Sequence, residues 1–181
     1  MAELKQEQAA KKGDLRMIAL KIEDLKTFTA QLFMGETFDY WLVREANIVT
    51  FNSFTIDGRI RQGYYSDEEL ETNRIEELSS WKTLRPFCYS LIRGRKLPES
   101  FQITLQLSPE ENEKFIRRVK PDFSADQVAA LYLNIRYENH AAACVTGTSL
   151  KIFMLDKQIE QEWDETVRRY FKKLQIPYVE V

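Results

Sequence analysis

The chain contains one histidine and two cysteines: His140, Cys88 and Cys144. That scarcity removes whole classes of chemistry. A structural zinc site needs four thiolate or imidazole ligands, and this set cannot supply them without unusual carboxylate help. Two isolated thiols form no disulfide framework and fit a reducing compartment. No run of 18 apolar residues occurs, so no membrane-spanning helix is expected. The opening stretch MAELKQEQAAKKGDLR has no apolar centre and does not read as a signal peptide, which makes the cytoplasm the expected location. An excess of one charge is missing too. With 26 Lys and Arg against 28 Asp and Glu, the net charge is −2. That balance argues against bulk nucleic-acid binding and leaves only a local basic patch open. The chain carries no G-x-S-x-G elbow, P-loop, G-x-G-x-x-G or H-E-x-x-H. No metal and no cofactor is expected.

What is present is a soluble globular pattern: 181 residues, 44% hydrophobic and 30% charged, enough for one domain with a sizeable core. Residues 1–16 are polar without apolar periodicity and read as a mobile tail. Residues 17–181 read as a single globular domain. Ile18, Leu20 and Ile22 alternate as in a short strand. Ile22, Leu25, Phe28, Leu32 and Phe33 then take helical spacing, closed by Gly35. Residues 38–47 suit either helix or strand, and the strand formers in FDYWLV favour a strand. Ile48–Ile56 reads as a strand, Asp57-Gly58 as a two-residue hairpin turn and Arg59–Tyr65 as the return strand.

Ser66 and Glu69 form a capping box, predicting a helix and an exposed helical run to Ser79. A second helix carries Trp81, Leu84, Cys88, Leu91 and Ile92 on one face, with Pro86 at its start or at a kink. Phe101, Ile103, Leu105 and Leu107 alternate with polar residues, as in a half-buried strand. Ser108-Pro109-Glu110-Glu111 opens a helix to about Val119. After Asp156 a last helix places Ile159, Trp163, Val167, Tyr170, Phe171 and Leu174 on one stripe. Glu160, Asp164, Arg168 and Lys172 step along the opposite side.

Val128–Leu155 is the expected centre of the fold, read as a three-stranded antiparallel meander. A two-residue turn at Asn139-His140 pairs Leu133 with Thr146, Ile135 with Cys144 and Tyr137 with Ala142. A loop over Gly147–Ser149 then sets Ile152 opposite Cys144. The fold class that follows is α+β: a mainly antiparallel sheet built from hairpins and this C-terminal meander, with helices packed on it.

On that register the second face of the meander carries Asn134, Arg136 and Lys151, with Thr148 and Ser149 at its rim. These five are the candidate residues for a small anionic ligand, although paired surface charges are the commoner explanation of such residues. Arg59 and Arg61, followed by Tyr64 and Tyr65, are candidates for nucleic-acid or partner contact through stacking. His140 reads as a solvent-facing turn residue, and both cysteines as small buried hydrophobes.

Five segments together resemble a family of small bacterial proteins classed as a domain of unknown function. They are Asn52-x-Phe54-x-Ile56-Asp57-Gly58-Arg59, Leu84-Arg85-Pro86, Leu133-Asn134-Ile135-Arg136-Tyr137, Thr146-Gly147-Thr148-Ser149-Leu150-Lys151 and Trp163-Asp164. The resemblance covers about Met17–Leu174. It implies a bacterial, cytoplasmic protein and brings no catalytic or binding residue with it. The resulting expectation is a binding or protein-interaction module without catalytic activity, with a homo-oligomer or protein partner and no membrane association. The anionic-ligand enzyme or sensor is the first alternative. A nucleic-acid role stands behind both because the domain has no net positive charge. Surplus aromatics support the interaction reading: Trp41, Phe51, Tyr64, Tyr65, Tyr132 and Phe153.

Overall fold

A computed structural model describes residues 17–181. The expected tail over 1–16 lies outside the described residues. The molecule is α+β, built on a seven-stranded sheet in which every neighbouring pair is antiparallel. The strands are β1 (Ala19–Ile22), β2 (Leu42–Val49), β3 (Ser53–Asp57), β4 (Ser100–Gln106), β5 (Val128–Glu138), β6 (Ala141–Leu150) and β7 (Tyr178–Glu180). Their spatial order is β3-β2-β4-β5-β6-β1-β7. The helices are α1 (Leu25–Phe33), α2 (Asp67–Thr72), α3 (Trp81–Ile92), α4 (Pro109–Val119) and α5 (Gln158–Lys173).

Alternation along the strands makes the two faces unequal. Leu20, Ala46, Ile48, Ile103, Leu105, Leu133, Ile135 and Cys144 point into one core with Phe28, Trp81, Ile116, Trp163 and Phe171 from the helices. Each fully buried aliphatic or aromatic side chain there contributes about 1.5–3 kcal/mol relative to exposure. The residues between them face the other way: Lys21, Glu45, Gln102 and Arg136 are exposed, and Asn47, Thr104 and Asn134 are half-buried.

The β5–β6 hairpin has the expected register, Leu133 opposite Thr146 and Ile135 opposite Cys144. Asn139 and His140 both take positive φ, 52° and 60°, as a type I′ turn requires. The third strand of the meander does not exist. Strand β6 runs on through Gly147 to Leu150, still paired with β5 back to Val128. Its outer edge is taken by β1, with Leu20 opposite Cys144. Residues 151–157 therefore cannot take the expected place beside Cys144. They form a loop in which Ile152, Phe153 and Leu155 are exposed. The apolar pattern of that segment marks its side chains but cannot supply a backbone partner.

The expected hairpin at Asp57-Gly58 is corrected as well. The β2–β3 connection is the three-residue turn Thr50–Asn52, with Val49 opposite Ser53. The strand expected over Ile48–Ile56 is thus two strands folded back on each other. Asp57 is the last residue of β3 and accepts from the Arg59 backbone N–H at 3.0 Å. Gly58 serves a close approach, not a turn. Its N–H donates to Arg44 O at 3.0 Å, beside the β-bulge between Val43 and Glu45. A Cβ there would stand 1.7 Å from Val43 O. Arg59–Tyr65 forms no strand beyond a single bridge from Arg59 to Leu78.

The capping box at Ser66 is present, but α2 ends at Thr72 and Asn73–Ser80 is irregular. Helix α3 starts at Trp81 and continues past Pro86, which lies inside it. Of the ambiguous 38–47 stretch, Phe38–Tyr40 is a turn and the strand begins at Leu42.

Candidate ligand-binding cleft

The structure separates the residues singled out in the sequence. Asn134 and Arg136 share the open face of β5, between β4 and β6, where Asn134 accepts from the Thr104 hydroxyl at 3.1 Å. Lys151 lies eight residues beyond Ala143, the cross-strand partner of Arg136. At the rise of a strand that is about 25 Å away. Lys151 borders a different hollow of about 740 Å³, with Arg44, Gln106 and Asn112. Thr148 falls opposite Leu131, among the core-side positions, so it faces away from Asn134 and Arg136; Ser149 is opposite Ala130. Arg59 is held bidentately by Asp57. Arg61 is exposed, and Tyr64 and Tyr65 meet edge-to-face at 5.4 Å on a 3₁₀ turn.

A larger cleft, about 870 Å³, lies elsewhere, between α4, α5 and the turn before β2. That size is within the usual range for small-molecule sites. Its floor is aromatic: Trp41 from the turn, Phe115 from α4, and Trp163 and Tyr170 from α5. The rings support one another. Trp41 lies 6.0 Å from Trp163 and 5.8 Å from Tyr170, and Phe115 meets Trp163 edge-to-face at 5.7 Å.

Their polar atoms are already used. Trp41 Nε1–H donates to Tyr170 Oη at 3.3 Å, and Tyr170 O–H donates to Thr37 O at 2.7 Å. Trp163 Nε1–H donates to Tyr132 O at 2.9 Å. Burial pushes the Tyr170 phenol up from its ordinary value. A neutral, donor-committed phenol is a positioning group here, because its hydrogen bonds fix the indole of Trp41.

The turn carrying Tyr40 and Trp41 is held from below. Asp39, 4% exposed, accepts two hydrogen bonds from Arg85 at 3.0 Å each. Its carbonyl also accepts from Lys82 N at 3.2 Å. Fork-on-fork pairs of this type are geometrically specific. This gives Arg85, inside the Leu84-Arg85-Pro86 segment, a definite task. Tyr40 itself is 91% exposed at the mouth of the cleft.

The rim is charged. Lys114 bridges Glu110 at 2.9 Å and Glu111 at 2.8 Å, and the Glu110 carboxyl is held below its usual range by that hydrogen bond. One turn further, the Arg118 guanidinium lies over the Phe115 ring, 5.5 Å from its centroid. Arg118 makes no ion pair among the described residues. Both carboxylates at the rim are ion-paired to Lys114.

A second polar cluster supports α5 from behind. Asp164 was expected on the solvent side of that helix, but it is buried and accepts from the Thr146 hydroxyl at 2.6 Å. Thr146 Oγ1 accepts in turn from Ile18 N at 3.1 Å. Desolvation raises the Asp164 pKa despite the Thr146 bond.

Sequence reasoning had placed Trp163 and Tyr170 on the core stripe of α5 and had flagged Trp41 as surplus. It passed over Phe115, Arg118 and Thr37. The available signal was the i, i+3 spacing of Phe115 and Arg118, which lets the cation lie across the ring.

Residues 31–179 match a family described as Family of unknown function (DUF5721). The chain belongs to that family. The DUF5721 match contains every residue that lines the aromatic cleft, from Thr37 to Tyr170, and leaves β1 outside it. No curated protein and no solved structure matches the chain.

Proposed function

We propose that this protein is a binding module and that the aromatic cleft receives its ligand, a small molecule with a flat apolar body. The observation that carries the reading is the meeting of four rings on the floor of one open cleft. Their polar atoms are already bonded inward, so the surface they present is apolar. Such sites combine an apolar lining with a few polar groups at the edge. The rim carboxylates are tied to Lys114, which supports binding without catalysis.

The test uses the tryptophans themselves. Trp41 is the tryptophan that reaches the cleft surface; Trp163 lies behind it at 1% exposure, and Trp81 is fully buried with its N–H on Leu32 O at 2.8 Å. Titration with 2-naphthalenemethanol should change the indole fluorescence saturably, and Trp41→Phe should remove most of the change. A linear, non-saturating response, or one unaffected by Trp41→Phe, would exclude this cleft.

A second reading, association with another protein or a second copy, is supported by the loop after β6. Phe153 is 87% exposed there, with Ile152 and Leu155 beside it. Side chains of this size in the open are enriched at interfaces. Light scattering at high concentration should give more than one chain's mass, and Phe153→Ser with Leu155→Ser should return it to one. A single-chain mass in the parent would remove self-association.

A further inference from the structure

The cleft has a polar end as well as an apolar floor, and the two cations at its rim are not equivalent. Lys114 is saturated: Glu110 and Glu111 both reach its ammonium group. Arg118 contacts no carboxylate among the described residues, and its guanidinium is laid over Phe115. Neighbouring Arg117, one residue earlier on the same helix, is paired with Glu113. The helix therefore ends with one arginine neutralised and the next held ready against a cleft-lining ring.

The contact with Phe115 is made by the guanidinium as a whole, 5.5 Å from the ring centroid, and uses none of its hydrogen bonds. Its N–H donors lie in the plane of the group and remain available at the edge. The ring contact biases the cation toward the cleft at a cost of no hydrogen-bond donor. The planar fork of the guanidinium matches a carboxylate oxygen pair better than a single neutral acceptor. At the exposed C-terminal turn of α4 the helix dipole supplies a reason for a cation. It does not supply a reason for the ring contact, which turns the charge toward the cleft.

We propose that the ligand is an aromatic carboxylate, its ring on the aromatic floor and its carboxylate paired with Arg118. This rests on the cleft being the binding site and adds the chemical class. The Glu110–Lys114–Glu111 cluster carries one net negative charge, so it repels an anion at its own end of the rim. The carboxylate is thereby directed to the Arg118 end. Tyr40, exposed at the mouth, is placed to cover the ring once it is seated.

The experiment compares three probes that share one ring: 2-naphthoate, 2-naphthalenemethanol and 2-naphthylmethylammonium. Each is titrated against the full chain by tryptophan fluorescence, with Arg118→Ala, Arg118→Lys and Arg117→Ala alongside. The parent should bind naphthoate about tenfold or more tighter than the alcohol, the size of one charge-assisted contact. The ammonium should bind weakest. Arg118→Ala should erase the preference for naphthoate while leaving affinity for the alcohol within about twofold. Arg118→Lys should restore part of the preference, and Arg117→Ala should change neither. Equal binding of acid and alcohol by the parent would overturn the carboxylate assignment while leaving the cleft intact. So would a preference that survives Arg118→Ala. Failure of all three probes to bind would overturn the cleft itself, and the assignment with it.

Discussion

Replacing Gly58 by alanine tests the correction of the second hairpin directly. Gly58 is buried between β2 and Ser79. Its N–H donates to Arg44 O at 3.0 Å, and its carbonyl accepts from Ser79 N at 2.9 Å. An added Cβ would fall 1.7 Å from Val43 O and 2.5 Å from Val43 C. Reaching even 3.0 Å requires 1.3 Å of movement, and the obstacle is backbone, so no rotamer change can absorb it. Overpacking of this severity costs about 3 kcal/mol, and each of the two backbone hydrogen bonds adds about 1 kcal/mol if it is lost. The expected loss is about 5 kcal/mol. For a domain of this size that lowers Tm by roughly 10–20 °C, measured by circular dichroism or calorimetry. Had Gly58 instead been a turn residue with positive φ, alanine would cost only about 1 kcal/mol. Gly63→Ala is the control, since nothing lies within 4 Å of its added Cβ. A Gly58→Ala protein melting within a few degrees of the parent would refute the close-approach argument.

Three further outcomes are expected. His140→Gly should raise Tm by about 2–3 °C, because His140 holds a φ of 60° that glycine adopts without steric cost; an unchanged or lower Tm counts against the type I′ turn. Asp164→Asn should alter the pH dependence of stability. The Asp164 pKa is raised in the folded state, so its contribution is full below the unfolded value of 3.8 and falls as pH rises through the folded value. Urea melts between pH 3 and 7 should show the parent losing stability relative to Asp164→Asn across that window, and parallel curves would disprove it. Cys88 is pushed up to about 12 by burial, and Cys144 is also raised by full desolvation. Neither should react with an aromatic disulfide reagent at pH 8 until the chain unfolds, and rapid labelling of the native protein would contradict the buried assignment.

The legible parts of this chain were those whose signals are local. The β4 alternation, the Ser66 and Ser108 caps and the Asn139-His140 turn depend on residues within a few positions of one another, the β5–β6 register follows from that turn, and all stand in the structure. The misreadings arose where a distant partner decides. Residues 151–155 carry a strand-like pattern, but β1 already holds the edge they would need. Asp57-Gly58 looks like a hairpin turn, yet the glycine answers to Val43, fifteen positions earlier. Asp164 reads as a surface acid by helical spacing and is buried because Thr146 and Ile18 meet it there. The cleft was hidden for the same reason. Its four floor rings come from three separate segments, and each ring alone is indistinguishable from core.

The position of β1 sets a condition on how this chain can be made. Residues 19–22 are synthesised well before their partners, since their seat lies between β6 and β7, against residues 143–145 and 178–180. At usual synthesis speeds roughly 6–25 s pass before the first of those partners exists. During that interval β2 to β5 can assemble with their neighbours, while Leu20 and Ile22 wait unburied. Closure of that side of the sheet is therefore a late event that waits for residues 143–145 and 178–180. Truncation shortly before β6 should leave an apolar strand with nowhere to go, and such a fragment is a natural substrate for chaperones.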